Sequence, residues 1–317
     1  MDVIRGLHNI RAGHRGAALS IGNYDGVHLG HLAVLDLLKQ QAAELNVPSM
    51  AMVFEPQSAE FFKGEKAPAR LTRLREKIER LGDADIDLLL VQRFDDALTS
   101  LAASAFVESV LIERLGARSI IVGDDFRFGR DRAGDYALLD RFSRQYGFAL
   151  TRSPSIRIDG ERVSSTAIRT YLAAGDLDRA AKLLGRPYTM SGYVQHGRKL
   201  GRELGFPTLN ISPKRRSSPL QGIFAMRVSG LVDVPLEGVG YIGKRPTVVD
   251  QHTVNKEVLE VNLFDWNQEC YGYHVQVEFV AKLRDDVAFP SQEALREQIA
   301  IDVSSARAVF AGRGEPA

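Results

Sequence analysis

Short apolar segments alternate with amphipathic segments of helical length from residue 17 to about 185, and this alternation limits the possible folds more than any other feature. Apolar runs separated by helices predict a parallel sheet with helices on both faces. Because ligands bind at the carboxyl ends of such strands, segments that directly follow a strand are candidate binding segments. The predicted strands are 17–21, 49–54, 88–91, 119–122 and 148–152, and the predicted helices are 31–46, 70–81, 103–115 and 134–146.

The turn at residues 22–31 (GNYDGVHLGH) connects the first predicted strand to the first predicted helix. Its three glycines allow a tight turn and a close approach of a ligand to the backbone. We expect the helix to begin near His31 and to direct its N-terminal N–H groups at an anion. His28 and His31 are three residues apart, so both imidazoles can face one site and donate hydrogen bonds to a triphosphate. A purely structural turn is the alternative, but two histidines in the order H-x-G-H favour phosphate binding.

Two later segments also follow predicted strands or precede a helix. Residues 123–130 (GDDFRFGR) contain two phenylalanines that suit stacking on a flat ring such as adenine or isoalloxazine, although a surface loop with its own salt bridges is the alternative. The pair Phe61-Phe62 could form another wall of this site or belong to the core. The hydroxyls in residues 163–169 (VSSTAIR) can be N-caps, or they can form a second phosphate clamp with Arg169.

The sequence pattern changes near Gly185 and Pro187, which end a short predicted helix at 177–184. We place the domain boundary there, so the expected domains are residues 1–185 and 186–317. A last helix is predicted after Pro290, with Ser291 as its cap and Leu295, Ile299, Val303 and Phe310 on its apolar side. Short β-rich runs predict an antiparallel barrel or sandwich in the second domain, at 188–195, 206–211, 223–228, 238–242, 258–264 and 275–280.

The second domain contains residue types that suit phosphoryl transfer. A loop rich in glycine and basic residues at 192–205 can cradle a diphosphate with its backbone N–H groups, or it can be a cationic surface hairpin. Thr208 and Asn210 alternate along a predicted strand and so point to one face, and their oxygens are hard ligands that suit Mg²⁺. Glu260 lies between apolar neighbours in another strand. The residues alone favour a structurally paired carboxylate there over a general base.

Charge and cysteine content exclude several classes of protein. The formal net charge of +1 gives no overall field that would attract nucleic acid or an acidic membrane. The single cysteine, Cys270, excludes an intrachain disulfide and favours a reducing cytoplasm. No apolar run approaches the roughly 20 residues that span a bilayer, and residues 1–14 lack the apolar core of a signal peptide. We therefore expect a cytoplasmic protein that binds small molecules.

The turn at 22–31 resembles the H-x-G-H nucleotidylyltransferase superfamily, whose members attack the α-phosphate of a nucleoside triphosphate and release pyrophosphate. The full sequence of this turn resembles the N-terminal module of bacterial bifunctional riboflavin kinase/FAD synthetases. The segments at 123–130 and 163–169 match motifs of that family and occur in the same order. The resemblance implies a Rossmann-like domain in which His28 and His31 are catalytic. It further implies flavin contacts at Phe62 and Phe128, and ATP contacts at Gly22, Asn23, Asp25, Gly30, Asp125, Ser165, Thr166 and Arg169. The family often has His-Pro where Gln57-Ser58 stands here.

Residues 186–317 resemble the flavokinase barrel through three motifs: ELGFPTLN at 203–210, YIGKRPT at 241–247 and LEVNLFD at 259–265. The resemblance implies that Glu260 takes the proton of the ribityl 5′-hydroxyl, and that Thr208 and Asn210 hold Mg²⁺ and phosphate. It implies a phosphate-binding loop with glycines at Gly192, Gly197, Gly201 and Gly205. Tyr241 stands where the family usually has Asn, and Asn262 stands where it usually has His.

The resemblance covers residues 17 to 310 and implies a bifunctional enzyme of flavin cofactor biosynthesis. The barrel would phosphorylate riboflavin to FMN with ATP, and the N-terminal domain would adenylylate FMN with a second ATP to give FAD and pyrophosphate. Two alternatives are another H-x-G-H adenylyltransferase with a non-catalytic barrel, and a flavin-binding regulator without catalysis. The expected partners are these small molecules, with apoflavoproteins as potential acceptors, no nucleic acid or membrane, and a monomer or weak homo-oligomer as the assembly.

Overall fold

The structure is a computed structural model that describes residues 1–123, 125–197, 201, 204–244 and 257–313. The chain packs into two compact units. The first unit comprises residues 1–68 and 74–164, and the second comprises residues 69–73 and 165–317. These units are defined by packing, whereas the boundary expected near residue 185 separates two functional domains. That functional boundary stays a prediction.

A parallel six-stranded sheet with the strand order β1-β4-β3-β2-β5-β6 forms the centre of the first unit. Its order reverses at β2, which has β3 on one side and β5 on the other, so the turn after β2 lies at a topological switch point. The five predicted strands are confirmed, and an edge strand that the sequence did not indicate, β1, pairs with β4. The strands of this sheet are β1 (Asp2–Arg5), β2 (Ala18–Ile21), β3 (Ser49–Glu55), β4 (Leu88–Arg93), β5 (Ser119–Gly123) and β6 (Ala149–Ser153). Two short strands, β7 (Arg157–Ile158) and β8 (Glu161–Arg162), form a separate antiparallel pair.

Alternating residues of the central strands supply two separate hydrophobic cores. Leu19 and Met52 belong to one core cluster, whereas Ala18 and Ala51 belong to the other. The sheet is therefore buried on both faces, as continuous apolar strands predict. The helices of this unit are α1 (Leu29–Leu45), α2 (Ser58–Lys63), α3 (Leu74–Asp83), α4 (Asp96–Thr99), α5 (Ala103–Ala105) and α6 (Tyr136–Tyr146), with a π-helical segment at Phe106–Arg114.

Two predicted helices of the first unit begin at other residues than expected. Helix α1 begins at Leu29 rather than near His31, because His28 has an extended backbone and caps the first turn. Helix α3 begins at Leu74 rather than at residue 70. Residues 69–73 belong to the second unit, and contacts of this kind, distant in sequence, override a helical pattern.

The predicted helix 103–115 is wound in two ways. It is α-helical over Ala103–Ala105 and π-helical over Phe106–Arg114. At its end the N–H of Leu115 donates to the carbonyl of Val110, five residues back, at 3.0 Å. The wider winding keeps Phe106, Val107, Val110 and Leu111 buried against the sheet.

The second unit contains a closed antiparallel barrel with the strand order β10-β13-β12-β11-β14-β9. The barrel alternative is thus confirmed. Residues 206–208 were predicted as part of a strand and are not, since Pro207 lacks the N–H that would extend the ladder and β10 begins at Leu209. The strands are β9 (Thr189–Gln195), β10 (Leu209–Ile211), β11 (Gly222–Ser229), β12 (Leu236–Lys244), β13 (Glu257–Leu263) and β14 (His274–Arg284).

Among the described residues of the second unit, the helices are α7 (Ser165–Ala174), α8 (Leu177–Leu184) and the predicted C-terminal helix, α9 (Gln292–Arg313). Ser291 caps α9 as expected, because its Oγ accepts a hydrogen bond from the N–H of Ala294 at 3.1 Å. Val303 and Phe310 pack with residues of the barrel strands in one core cluster. Leu295 and Ile299, also expected on the apolar side, are only partly buried.

Candidate active sites in the two units

The turn between β2 and α1 holds a strained backbone. Tyr24 and Val27 have positive φ angles of 48° and 41°, which side chains with a Cβ rarely adopt. The turn is held by the phenol of Tyr24, which donates to Ser20 Oγ at 2.7 Å and is 2 % exposed. Burial raises the pKa of Tyr24 to about 12, so this anchor stays protonated at neutral pH. Strain of this kind persists where surrounding contacts fix the backbone, and it is common at functional sites.

His28 and His31 lie together at the start of α1, as the sequence predicted. Their rings are stacked with centroids 3.6 Å apart and an angle of 13° between planes. Each Nδ1 accepts a hydrogen bond of 3.3 Å from the backbone N–H of the other residue. An imidazole that accepts at Nδ1 carries its proton on Nε2 in the neutral form. The geometry therefore assigns the donor role to the Nε2–H groups of both rings.

Glycine at position 30 leaves space for this arrangement. A Cβ there would lie 3.2 Å from Cε1 and Nδ1 of His28 and would crowd its ring. Gly30 is also in the first turn of α1, where backbone N–H groups have no partner within the helix. Of the other residues predicted in this turn, Asn23 is exposed, Gly22 is partly exposed and Asp25 is buried.

The segments after β2, β3 and β5 lie at one edge of the sheet, because these strands are parallel neighbours. Among the residues after β5, Asp125 is exposed, and its carboxylate lies 3.8 Å from the guanidinium of Arg162. Phe128 is 7 % exposed and belongs to the core, where its ring lies 5.6 Å from that of Phe106. The two-phenylalanine pattern is thus explained in part by packing. A flavin contact at Phe128 stays a prediction.

The segment after β3 carries an aromatic cluster. Phe61 and Phe62 on α2 lie with their ring centroids 5.4 and 5.8 Å from that of Phe94. Phe62 is 66 % exposed, which is unusual for a phenylalanine that serves only the core. Phe94 was not among the predicted site residues, although it directly follows β4, as the other candidate segments follow their strands.

Ser165, Thr166 and Arg169 begin helix α7 in the second unit. Ser165 and Thr166 are in the first turn of α7, where backbone N–H groups bind acceptors outside the helix rather than within it. The Nε of Arg169 donates to the carbonyl of Ala69 at 2.6 Å. Their position opposite His28 and His31 stays a prediction.

In the barrel, pairing of the strands places Glu260 in a row of polar residues. Glu260 pairs with Asn210 on β10 and with Tyr241 on β12, and Asn210 in turn pairs with Gln195 on β9. Along β13 the alternate residues Leu259 and Val261 are fully buried. The row Gln195–Asn210–Glu260–Tyr241 is therefore on the face opposite to the barrel interior. Such a row of two amides, a carboxylate and a phenol can bind a cation, a hydroxyl or phosphate.

The glycine-rich segment approaches this row closely. A Cβ at Gly197 would overlap the side chain of Asn210, and one at Gly201 would lie 3.3 Å from Thr208 Oγ1. The amide nitrogen of Asn210 points to the carbonyl of Thr208 at 3.4 Å. Gly192 is buried and Gly205 exposed, whereas Arg198, Lys199, Leu200, Arg202, Glu203 and 245–256 lie outside the described residues.

Two residues that depart from the family pattern have specific partners that the sequence did not show. The phenol of Tyr241 donates to Asp286 Oδ2 at 2.9 Å, and burial together with this bond and nearby carboxylates raises its pKa. The side-chain amide of Asn262 donates to the carbonyl of Pro207 at 2.7 Å. Asp286 and Pro207 are far from their partners in sequence, so no local pattern could have indicated them.

Family comparisons agree with this division of chemistry. The FAD synthetase family model matches residues 10–167, and the riboflavin kinase model matches residues 184–310. A bifunctional riboflavin kinase/FMN adenylyltransferase from Escherichia coli K12 is 45 % identical over 100 % of both chains. The chain belongs to the bifunctional riboflavin kinase/FMN adenylyltransferase family. Similar relatives from Haemophilus influenzae and Pseudomonas fluorescens are each 45 % identical over 98 % of this chain.

Both activities expected from the resemblance, riboflavin kinase and FMN adenylyltransferase, are thus assigned to this member of the family. The crystal structure of a macrolide-efflux protein from Streptococcus pneumoniae has the same fold, with a TM-score of 0.79 and 25 % identity, and the alignment covers 97 % of this chain and 99 % of that chain. Within the described part of this chain, no helix is both long and apolar enough to cross a membrane.

Proposed function

We propose that the two activities use two separate sites, one built on the H-x-G-H turn and one on the polar row of the barrel. The stacked pair His28–His31 carries the first assignment. Its Nε2–H groups and the N-terminus of α1 are donors suited to the phosphates of ATP. An oxygen of the FMN phosphate attacks the α-phosphorus of ATP, the bond to the β-phosphate oxygen breaks, and pyrophosphate leaves.

In this proposal the aromatic cluster contacts the flavin and the residues that begin helix α7 bind phosphate. Phe62 offers an exposed ring for the isoalloxazine, with Phe128 as a further contact, and Asn23, Asp25 and Asp125 contact ATP. Ser165, Thr166 and Arg169 bind the phosphates. The FAD synthetase match supports the first two, since it extends to residue 167 and Arg169 lies just beyond it. Arginine suits this role because its planar fork can bind two phosphate oxygens at once.

In the kinase site, Glu260 takes the proton of the riboflavin 5′-hydroxyl while the hydroxyl oxygen attacks the γ-phosphorus and the bond to ADP breaks. The row supports this role, because Glu260 and Asn210 are directly paired across two strands. Among the described residues no group of three or more His, Cys, Asp and Glu side chains could hold a metal ion. The oxygens of Thr208 and Asn210 nevertheless fit Mg²⁺, which keeps several waters and shares phosphate oxygens. When bound, Mg²⁺ would neutralise charge on the transferred phosphoryl group.

We further propose a cytoplasmic enzyme that acts on riboflavin, FMN and ATP, and that needs no nucleic acid or membrane as a partner. The formal net charge of +1 and the single cysteine support this setting. The assembly is a monomer or a weak homo-oligomer, and apoflavoproteins are potential acceptors of the product.

Replacement of both histidines tests the adenylyltransferase site. His28→Ser with His31→Gln keeps a capping-box sequence, S-x-x-Q, at the start of α1 and removes both imidazoles. We expect FAD formation to fall at least about a hundredfold, since the imidazole donors to the phosphates are lost. Riboflavin phosphorylation in the same protein should continue, so that FMN accumulates. Separation of FMN and FAD after incubation with riboflavin and Mg·ATP measures both steps, and equal loss of the two activities in a folded variant would refute two separate sites.

The variant Glu260→Gln tests the kinase site. Glutamine keeps the size of the side chain but cannot take a proton at neutral pH. Kinase turnover should fall by roughly 10²–10⁴-fold, while adenylylation of supplied FMN is unchanged. A thermal melt separates this outcome from a structural role. A destabilised variant with normal kinase turnover per folded molecule would assign Glu260 to structure instead.

A further inference from the structure

We propose that Asn262 is a positioning residue of the kinase site that holds Thr208 in place through the carbonyl of Pro207. This inference rests on the proposed role of Thr208 as a ligand of Mg²⁺ and phosphate. The observation that supports it is the hydrogen bond of 2.7 Å that Asn262 Nδ2 donates to the Pro207 carbonyl.

The bond lies where the backbone ladder between β10 and β13 stops. The register pairs Ile211 with Leu259, Asn210 with Glu260 and Leu209 with Val261, and the ladder ends there. One further step would bring Thr208 opposite Asn262. The preceding residue, Pro207, has no N–H to continue the ladder. The side-chain amide of Asn262 takes the place of the next strand contact by binding the Pro207 carbonyl.

The position of Asn262 links this bond to the reacting groups. Asn262 follows Glu260 by two residues on the same strand, so both side chains are on one face of β13. The peptide group that it holds joins Pro207 to Thr208. A fixed carbonyl at Pro207 restricts the rotation of this peptide and with it the direction of the Thr208 side chain. The residue beside the general base would thus set the position of the residue that binds the metal.

The variant Asn262→Asp is nearly isosteric and tests the donor, because a carboxylate can only accept hydrogen bonds and repels the Pro207 carbonyl. Calorimetric titration of the full chain with Mg·ADP should show an affinity about tenfold weaker. The kinase should need a higher Mg²⁺ concentration for half-maximal rate, with FMN adenylylation unchanged. Asn262→His, which restores a ring N–H donor and the residue usual in the family, should stay close to the wild type.

Gln276→Glu is the matched control, since it makes the same change from amide to carboxylate at an exposed position of β14. In the barrel order, β14 is three strands away from β13 in either direction. Mg·ADP affinity should be unchanged in this control. Normal affinity in Asn262→Asp, or an equal loss in Gln276→Glu, would overturn the positioning role.

A double variant shows whether Asn262 acts through Thr208. If it does, Asn262→Asp should weaken Mg·ADP binding much less in a Thr208→Ala background than in the wild type. Fully multiplicative losses would overturn the inference. If Thr208→Ala alone leaves Mg·ADP affinity unchanged, the proposed ligand role of Thr208 fails instead, and this result is distinct from a failure of Asn262 alone.

Discussion

At the scale of single residues, specific hydrogen bonds fix the side chains of both candidate sites. The rings of His28 and His31 are stacked, and each Nδ1 caps the backbone N–H of the other residue at the start of α1. This mutual capping depends on α1 beginning at Leu29. The contacts Tyr241–Asp286 and Asn262–Pro207 are equally specific, but they join residues that are distant in sequence.

The buried phenol of Tyr24 gives a prediction about alkaline pH. Its pKa is raised by burial from 10.0 to about 12, so the folded state favours the protonated form. The contribution of the protonated Tyr24 phenol to the free energy of unfolding is complete below pH 10. It is lost as the pH rises towards 12, because the unfolded state releases the proton first. The shift corresponds to roughly 3 kcal/mol of unfolding free energy.

Urea unfolding of the wild type and Tyr24→Phe between pH 7 and 11.5 measures this effect. The variant should be less stable at neutral pH by about 1 kcal/mol, because it lacks the hydrogen bond to Ser20. It should then lose less stability than the wild type above pH 10. Because the pKa of Tyr241 is also raised, we expect both proteins to lose some stability at alkaline pH. Parallel curves would contradict the assignment to Tyr24.

At the scale of secondary-structure elements, periodicity identified the strands and most helices, and it failed where distant contacts decide. The five parallel strands were predicted because continuous apolar runs are typical of sheets buried on both faces. The predicted start of α3 at residue 70 was wrong, because the carbonyls of Arg70 and Leu71 accept hydrogen bonds from Arg215 instead of continuing a helix. The attachment of α9 likewise depends on an ion pair that no local pattern shows.

Arg284 of β14 and Asp302 of α9 form that ion pair. Nε and Nη2 of Arg284 donate to the two carboxylate oxygens at 2.8 and 2.7 Å, and the Asp302 side chain is only 6 % exposed. Asp302→Ala leaves the guanidinium without this partner, and we expect a loss near the lower end of the 3–5 kcal/mol found for broken buried pairs, because Arg284 is partly exposed. Urea unfolding followed by the fluorescence of the single tryptophan, Trp266, measures the loss.

Glu297→Ala is the matched control for this prediction. It removes a carboxylate from an exposed position of the same helix and should change stability by less than about 0.5 kcal/mol. Similar small effects in both variants would show that the pair does not anchor α9.

At the scale of the whole molecule, the second unit is not continuous in sequence. Residues 69–73 come from the N-terminal part of the chain but pack with 165–317. Arg73 extends from this segment to the barrel, where its Nη2 donates to the carbonyl of Ser191 on β9 at 2.6 Å. In the sequence, the change from alternating helices and strands to short strands indicated a boundary near residue 185. A pattern of this kind cannot show that five residues from another region complete the packing of a unit.

Arg215 binds the segment 69–73 through one nitrogen of its guanidinium. Its Nη1 donates to the carbonyls of Arg70 and Leu71 at 2.7 and 2.9 Å and to the phenol oxygen of Tyr188 at 2.9 Å. Tyr188 in turn donates to the Leu71 carbonyl at 3.0 Å. Removal of the guanidinium deletes its three partly buried hydrogen bonds, while Tyr188 keeps its own bond to the Leu71 carbonyl. We therefore expect Arg215→Ala to lower the stability of the second unit by about 1.5–3 kcal/mol.

The adjacent arginine supplies a control, because Arg216 is exposed and its replacement by alanine removes the same charge. Unfolding followed by Trp266 fluorescence reports on the second unit, to which this tryptophan belongs. The transition should move to lower urea in Arg215→Ala and stay within about 0.5 kcal/mol of the wild type in Arg216→Ala. Identical transitions in the two variants would mean that residues 69–73 do not stabilise the unit that contains the kinase barrel. A selective loss in Arg215→Ala would show that the kinase half depends on five residues encoded more than ninety positions before α7 begins, counted from residue 69 to Ser165.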